Sequence, residues 1–459
     1  PPPGAEDRLA LAERAMDELT ASGKLVPALE IDLLRIRTEV LTELGRVHET
    51  AGLFERKAEL VEKHGLSIQH DPLAVYAMAQ DLHANAGRGD AAGRSKAAIR
   101  RLNAERGMSA NDTPSRTANR SLVRLLYATD RARSGAPGPT GYYLPQRGAL
   151  ERGTALVSIP PGHRRGQIEA PSLLRLELTP NAQRHVTLEA VTPHEHDVFQ
   201  KLLDEALAGA GSREILIYIH GFNVSFDAAM RRAGQLVYDL QYDGVPLVYS
   251  WPSHGTTFGY VADTATVRHS ARHLARFLEA LAARHSGEVI HLVAHSMGNI
   301  ALSDALELLA LQFGPGDTPL PVFDEVVFAA PDVDAGLFKA MAQTFRPLAK
   351  RMTVYASSED LALAVSRRIH GDAPRMGQGG EALVAFGGVE SIDMSAAGAD
   401  LLAHNYYAQN WSALVDIMTL LWRNVPPDRR CGLEHVDRPD GSAWRMEPGP
   451  CADRSTIEM

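Results

Sequence analysis

The chain of 459 residues has few cysteines, no long apolar run and no excess of positive charge. Its apolar stretches fall short of the ~20 residues that a helix needs to cross a bilayer, so we expect no membrane span. A formal net charge of −9 without a basic stripe argues against nucleic acid as a partner. The sequence also lacks H-E-x-x-H, C-x-x-C and a spaced His/Asp cluster, and it therefore predicts neither a metal site nor a cofactor.

The two cysteines, Cys431 and Cys451, both lie in a final stretch rich in Pro, Gly and charge, residues 426–459. Two cysteines confined to a loop-like tail indicate a disulfide that joins them. Their spacing matches no zinc pattern. Because disulfides persist in oxidising compartments, the pair predicts an exported protein, periplasmic or extracellular, with a cytoplasmic location as the alternative.

The most informative motif is A-H-S-M-G at 294–298, which follows an apolar run and precedes a helical pattern. A strand, a Ser flanked by small residues at two positions on either side, and then a helix form the nucleophile elbow of α/β-hydrolases. The dipole of the following helix favours negative charge where the reaction develops it. Ser296 is therefore predicted to be the catalytic nucleophile; the alternative is a helix N-cap after a core strand.

A second apolar strand, residues 214–219, ends in the sequence H-G-F-N at 220–223. An HG pair after such a strand supplies one N–H of an oxyanion hole, and the residue after the nucleophile supplies the other. The sequence thus predicts a hole formed by the backbone N–H groups of Met297 and Phe222. We expect His220 to brace the loop rather than to act as the base.

The general base is expected downstream of the nucleophile, where the chain contains His370, His404 and His435. Only imidazole takes and returns a proton readily near neutral pH. This fold orders its triad as Ser, acid and His, with the His on a loop after the last strand. Residues 389–394 have the pattern of that strand and His404 follows them, so His404 is the predicted base.

The acid is expected after one of two strands, residues 325–330 or 351–355. If the strand before the HG pair is the third of the fold, these strands are the sixth and the seventh. The acid usually follows the seventh strand, which favours Asp360. Some members of the fold place it after the sixth, which leaves Asp332 and Asp334 as alternatives. The carboxylates that are not the acid are expected to cap loop N–H groups.

Eight short motifs occur in order between Ser121 and Trp422: YATDR, VSIPPGHRRGQIEAP, IHGFNVSFDAA, YSWPS, AHSMGN, AAPDVDAGLF, YASSEDLALAVS and HNYY. Together they resemble a bacterial α/β-hydrolase family known only as "esterase/lipase superfamily enzyme", largely of unknown function. The resemblance implies an α/β-hydrolase fold, with a mostly parallel sheet flanked by helices, and a Ser/Asp/His triad. It implies no particular substrate.

The first hundred or so residues have a different composition, rich in Ala, Leu, Glu and Arg with a 3.6-residue periodicity. We expect three regions: a helical, tetratricopeptide-like hairpin domain at 1–112, the α/β-hydrolase domain at 118–425, and the tail at 426–459. The helical domain is expected to bind a protein partner, to cover the active-site mouth or to form a homodimer.

These predictions combine into a serine hydrolase that cleaves small carboxylic esters of short to medium acyl chain through an acyl-enzyme. Within the same class of enzyme, a thioesterase, a lipase and an amidase remain alternatives. The alternative from a different class is a helical-repeat scaffold or partner-binding protein whose hydrolase domain turns over little.

Overall fold

The computed structural model describes residues 5–21, separate positions between 30 and 94, and residues 120–447 apart from 137, 171–179, 255–259, 314–319, 398–415, 418, 422–423 and 439. The chain divides into two compact units. One comprises Pro1–Ala118 with Pro171–Pro180, and the other comprises Asn119–Ala170 with Asn181–Met459.

The first unit begins with helix α1 (Ala5–Ala21). Leu9 and Ala12 are buried on one side of it, at the three-residue spacing that a helix places on one face. Leu9 packs against Val40 and Leu41. The predicted repeat falls mainly outside the described residues and stays a prediction.

The described residues of the second unit form a sheet of 11 strands. The strands are β1 (Ser121–Arg133), β2 (Tyr143–Ile159), β3 (Thr187–His194), β4 (Glu214–Ile219), β5 (Val245–Ser250), β6 (Val289–His295), β7 (Phe323–Ala329), β8 (Ala349–Ala356), β9 (Glu390–Asp393), β10 (Leu433–Arg438) and β11 (Gly441–Met446). Their spatial order is β10-β11-β9-β8-β7-β6-β4-β5-β1-β2-β3. Neighbours from β11 to β1 pair in parallel, and the β1–β2, β2–β3 and β10–β11 pairs are antiparallel.

The order of the central strands creates a crevice at the carboxyl ends of β4 and β6. The chain adds β5 on one side of β4 and then returns to add β6 on the other side. In open parallel sheets this reversal is the point at which ligands bind. Ile219 at the end of β4 lies opposite Ala294 in β6, so the two predicted loops leave the sheet side by side.

Helices cover both faces of the sheet, which explains why the central strands are apolar on both sides. They are α2 (His196–Gly209), α3 (Phe226–Leu240), α4 (Tyr260–Arg284), α5 (Gly298–Gln312), α6 (Ala335–Phe345) and α7 (Leu361–Ile369). Residues of α2, α4, α5 and α6 share one apolar core, and those of α3 share the core on the other face. The mostly parallel sheet flanked by helices confirms the predicted fold class.

The tail differs from the loop-like segment that its composition indicates. Strands β10 and β11 form a hairpin there, and β11 joins the sheet through parallel pairing of Trp444 with Ile392. Ala443 and Met446 are buried by this pairing. The sheet edge supplies backbone partners that composition alone does not reveal. Among the described helices, none is long and apolar enough to cross a membrane.

Candidate active site

Ser296 occupies the turn between β6 and α5, at the carboxyl end of a central strand. Its φ is 52°, a left-handed conformation that residues other than glycine adopt only where the surroundings enforce it. The Ser296 N–H donates to the Ala329 carbonyl at 2.9 Å. The Ser296 carbonyl in turn accepts from the main-chain and side-chain amides of Asn299 at 3.0 and 2.9 Å. The backbone thus has the strained turn of a nucleophile elbow.

Two glycines allow the HG loop to lie directly against this turn. A Cβ added to Gly221 would stand 2.9 Å from Ser296 Cβ. A Cβ added to Gly298 would overlap the main-chain carbonyl of His220. A larger residue at either position therefore pushes the loop after β4 away from Ser296.

The two residues predicted to form an oxyanion hole directly follow Ser296 and Gly221, which lie against each other. Met297 is the N-cap of α5, where backbone N–H groups have no partner inside the helix. Phe222 follows the glycine that packs against Ser296, and its ring contacts Tyr260 edge-on with 5.3 Å between centroids. The Phe222 and Tyr260 rings thus pack beside the loop that lies against Ser296.

His220 is fully buried beneath this loop. Its Nδ1–H donates to the Gly221 carbonyl at 2.8 Å, so Nε2 accepts from the Ser250 hydroxyl at 3.1 Å. Burial and the nearby Arg131 lower the pKa of His220 to about 3, which keeps the imidazole neutral. The ring stacks on Trp251, whose indole N–H donates to the His220 carbonyl at 2.7 Å. His220 therefore holds the loop in place.

Arg131 ties the same loop to its neighbours. Its guanidinium donates to Ser250 Oγ at 3.0 Å, to the Ser253 carbonyl at 3.2 Å and to the Val224 carbonyl at 2.7 Å. Burial lowers the pKa of Arg131 to about 10, so it stays a cation at neutral pH. No role is predicted for Arg131 from the sequence, although it ends the motif YATDR.

Asp332 follows β7 and is engaged by three donors. Arg375 Nε donates to its Oδ1 at 2.8 Å, Ser366 Oγ donates to Oδ1 at 2.6 Å, and Tyr260 Oη donates to Oδ2 at 2.7 Å. Asp334 instead caps α6, because its Oδ1 accepts from the Leu337 N–H at 2.8 Å. Both alternatives for the acid thus have structural partners of their own.

Asp360 lies after β8, at the same edge of the sheet as Ser296, and is buried. Its Oδ1 accepts from the Leu363 N–H at 3.0 Å, which makes it the N-cap of α7. Because β8 is two strands from β6, the two strand ends are about 10 Å apart. An imidazole between the two side chains can span that distance. His404 lies outside the described residues, and its place between them stays a prediction.

The other two candidate bases have different surroundings. His370 Nδ1 donates to the Ser366 carbonyl at 2.9 Å at the end of α7, and its ring contacts Tyr260 edge-on. His435 lies in β10, five strands from β6, which corresponds to roughly 24 Å across the sheet. That separation is too long for direct proton transfer to Ser296.

The fold brings together one group that is not predicted from the sequence. Asp130, His269 and His273 have ligand-type atoms within 4.8 Å of one another, the one such metal-capable group among the described residues. The available signal was H-x-x-x-H on a helix, but its acidic partner lies in β1, far away in the sequence. Cys431 is disulfide-bonded, and Cys451 lies outside the described residues, so their pairing stays a prediction.

Comparison with known proteins agrees with this geometry. Residues 195–421 match the model of a family described as an alpha/beta hydrolase of unknown function (DUF900). No curated protein shows a significant match. The matched stretch runs from α2 past β9 and includes the elbow and the HG loop. Residues 195–421 are therefore similar to this family of α/β-hydrolases of unknown function.

Proposed function

We propose that this protein is a serine hydrolase that cleaves carboxylic esters of short to medium acyl chain, with Ser296, Asp360 and His404 as its triad. The setting of Ser296 carries the proposal. Met297, not Ser296, is the N-cap of α5, so helix capping does not account for the positive φ of Ser296. A turn strained at a serine, beside a loop that glycine lets approach, is the arrangement that acyl transfer requires.

In this mechanism His404 takes the Ser296 proton as Oγ attacks the ester carbonyl and forms a tetrahedral intermediate. The imidazolium then protonates the alcohol oxygen, the C–O bond breaks, and an acyl-enzyme is left. Water attacks the acyl group with His404 again as the base, and the acid is released. Asp360 orients the imidazole and stabilises its charged form.

The backbone N–H groups of Met297 and Phe222 would stabilise the negative oxygen of each intermediate. A donor at this position typically contributes about 10²–10³-fold to kcat. The first turn of α5 adds the favourable end of its dipole. His220 and Arg131 hold the loop that carries Phe222, so the donor needs no reorganisation during the reaction.

The surroundings favour a neutral, partly apolar substrate. The Phe222 and Tyr260 rings pack together beside the loop that lies against Ser296. The nearby cation Arg375 is already paired with the buried Asp332, so it offers no free charge for an anionic substrate. An uncharged ester with an apolar acyl group fits these surroundings.

A fluorophosphonate probe tests the nucleophile directly. The wild type should be labelled, and Ser296→Ala should not. Ser225→Ala is the matched control, because Ser225 is a true N-cap whose Oγ accepts from Ala228 at 3.2 Å. That variant should label like the wild type. Labelling that persists in Ser296→Ala overturns the proposal.

A panel of p-nitrophenyl esters from acetate to palmitate tests the substrate class. We expect the highest kcat/KM between the short and medium chains, and a loss of several orders of magnitude in Ser296→Ala. A maximum at palmitate would indicate a lipase. If the matching thioester or anilide is cleaved faster than the ester, the preferred substrate belongs to that class instead.

A further inference from the structure

A cluster of potential metal ligands joins strand β1 to helix α4. His269 and His273 lie one helical turn apart on α4, with 5.3 Å between ring centroids, and Asp130 faces them from β1. The Asp130 carboxylate is fully buried, whereas His273 is half-buried and His269 is exposed. The cluster therefore has a buried anionic end and an end open to solvent.

The Asp130 carboxylate is only half satisfied. Its Oδ2 accepts from the Ser270 hydroxyl at 2.6 Å, but Oδ1 has no hydrogen-bond partner among the described residues. The neighbouring Tyr249 hydroxyl lies against both the Asp130 carboxylate and the Ser270 carbonyl, to which it donates at 3.2 Å. A buried carboxylate oxygen without a donor is unfavourable. A cation next to Oδ1 would remove this penalty.

We propose that Asp130, His269 and His273 bind one divalent transition-metal ion, with zinc as the best match. Two imidazole nitrogens and one carboxylate oxygen are ligands that zinc accepts in tetrahedral sites, where bonds of ~2.0–2.2 Å place the ligand atoms roughly 3.3 Å apart. The three ligand atoms already lie within 4.8 Å of one another, so small side-chain rotations bring them to that spacing. Water completes the coordination at the open end.

The ligand types select among cations. Two imidazole nitrogens suit zinc and disfavour Mg²⁺ and Ca²⁺, which prefer sites made of oxygen alone.

The bound ion would link α4 to β1 through ligands from both elements. Asp263 on the same helix accepts hydrogen bonds from the Ser253 hydroxyl and the His254 N–H, in the loop after β5. On β1, the residue after Asp130 is Arg131, which holds the HG loop. A metal ion that joins α4 to β1 would stabilise the loop after β5 and the HG loop. The chemistry proposed for Ser296 does not require this ion.

Zinc titration of the full chain, in competition with a chromophoric chelator, tests the site. The wild type should bind one ion tightly, and zinc should raise its Tm. His269→Ala with His273→Ala should lower the affinity at least 100-fold and abolish the rise in Tm. The matched control is His196→Ala, which removes one exposed histidine from α2 and should leave both readouts unchanged. Mg²⁺ in excess should not compete.

Cobalt provides a second readout. Co²⁺ bound to the wild type should show the visible absorption of a four-coordinate nitrogen and oxygen site, and the double variant should not. Asp130→Asn should weaken binding about tenfold or more; if it fails to fold, the histidine variants on the helix surface still decide the question. Unchanged zinc affinity in the double variant, or an equal loss in His196→Ala, overturns the proposal.

Discussion

The guanidinium of Arg375 donates a 2.8 Å hydrogen bond to Asp332 Oδ1, and both side chains are almost completely buried. Tyr260 and Ser366 donate to the same carboxylate. The charge of Asp332 is therefore already balanced by a fixed cation, which leaves it poorly suited to stabilise an imidazolium that forms and disappears in each cycle. This pairing favours Asp360 as the acid of the proposed triad.

Substitution by asparagine should separate the two carboxylates. Asp360→Asn should lower kcat about 10⁴-fold, as expected when the acid of a triad is lost. Its stability should change little, because Asn caps a helix as well as Asp does and can still accept from the Leu363 N–H. The measurements are kcat on p-nitrophenyl butyrate and the Tm.

Asp332→Asn should lose more stability and less kcat than Asp360→Asn does. Removing the counter-charge leaves Arg375 buried and unpaired, which should cost about 3–5 kcal/mol of stability. The molecules that stay folded should lose far less of their kcat than Asp360→Asn does. If Asp332→Asn instead abolishes turnover while Asp360→Asn is active, the acid follows β7.

Gly298→Ala should impair the elbow although alanine is the better helix former. The added Cβ would overlap the His220 carbonyl and displace the loop that carries Phe222. We expect a cost of about 1–3 kcal/mol, typical of overpacking, and a marked loss of fluorophosphonate labelling. Gly287→Ala is the control, because no atom lies within 4 Å of its added Cβ. Wild-type labelling by Gly298→Ala would show that the loop tolerates the shift.

The elements that could be predicted from the sequence are those whose signal is local. Strand β4 begins and ends at the predicted residues, and β6 extends the predicted apolar run by two residues, because helices cover both faces and the strands must be apolar throughout. The setting of Ser296 was likewise contained in a few neighbouring residues. A turn that needs small residues at fixed offsets is visible without any tertiary contact.

What could not be predicted depends on partners distant in the sequence. Nothing near Asp332 indicates that Arg375 will neutralise it, and nothing near His269 indicates Asp130. The hairpin of β10 and β11 was missed for a related reason. Its alternation is short and interrupted by charge, and the edge strand β9 supplies the pairing that makes it a strand.

His163 should make the stability of the protein pH-dependent on the alkaline side. Burial lowers its pKa, but hydrogen bonds to Asp239 and Glu169, each 2.8 Å, outweigh burial and raise it to about 9. A folded pKa above the unfolded value of about 6.5 means that protonation stabilises the fold. The contribution, about 3 kcal/mol at most, is complete below pH ~6.5 and is lost as the pH rises through about 9.

Chemical denaturation between pH 6 and pH 10 measures this contribution. The wild type should lose stability over that range, and His163→Gln should lose less, because glutamine keeps a donor but carries no charge. His196→Gln, at an exposed position, should follow the wild type. If the stability of His163→Gln and that of the wild type fall equally with rising pH, a group other than His163 causes the pH dependence.

Cys431 and Cys451 should be joined to each other, closing a loop around the hairpin of β10 and β11. Cys431 is disulfide-bonded, and the hairpin occupies the edge of the sheet, where one strand has no further neighbour among the described strands. A loop of about 20 residues closed in this way contributes about 3 kcal/mol in the chain-entropy model.

Thiol titration of the unfolded, unreduced protein should find no free thiol. Replacing both cysteines by alanine should speed hydrogen exchange in β10 and β11 before it does so in β6, because the edge opens more easily than the centre. Two free thiols in the unreduced protein would contradict the pairing and remove the argument for an oxidising compartment.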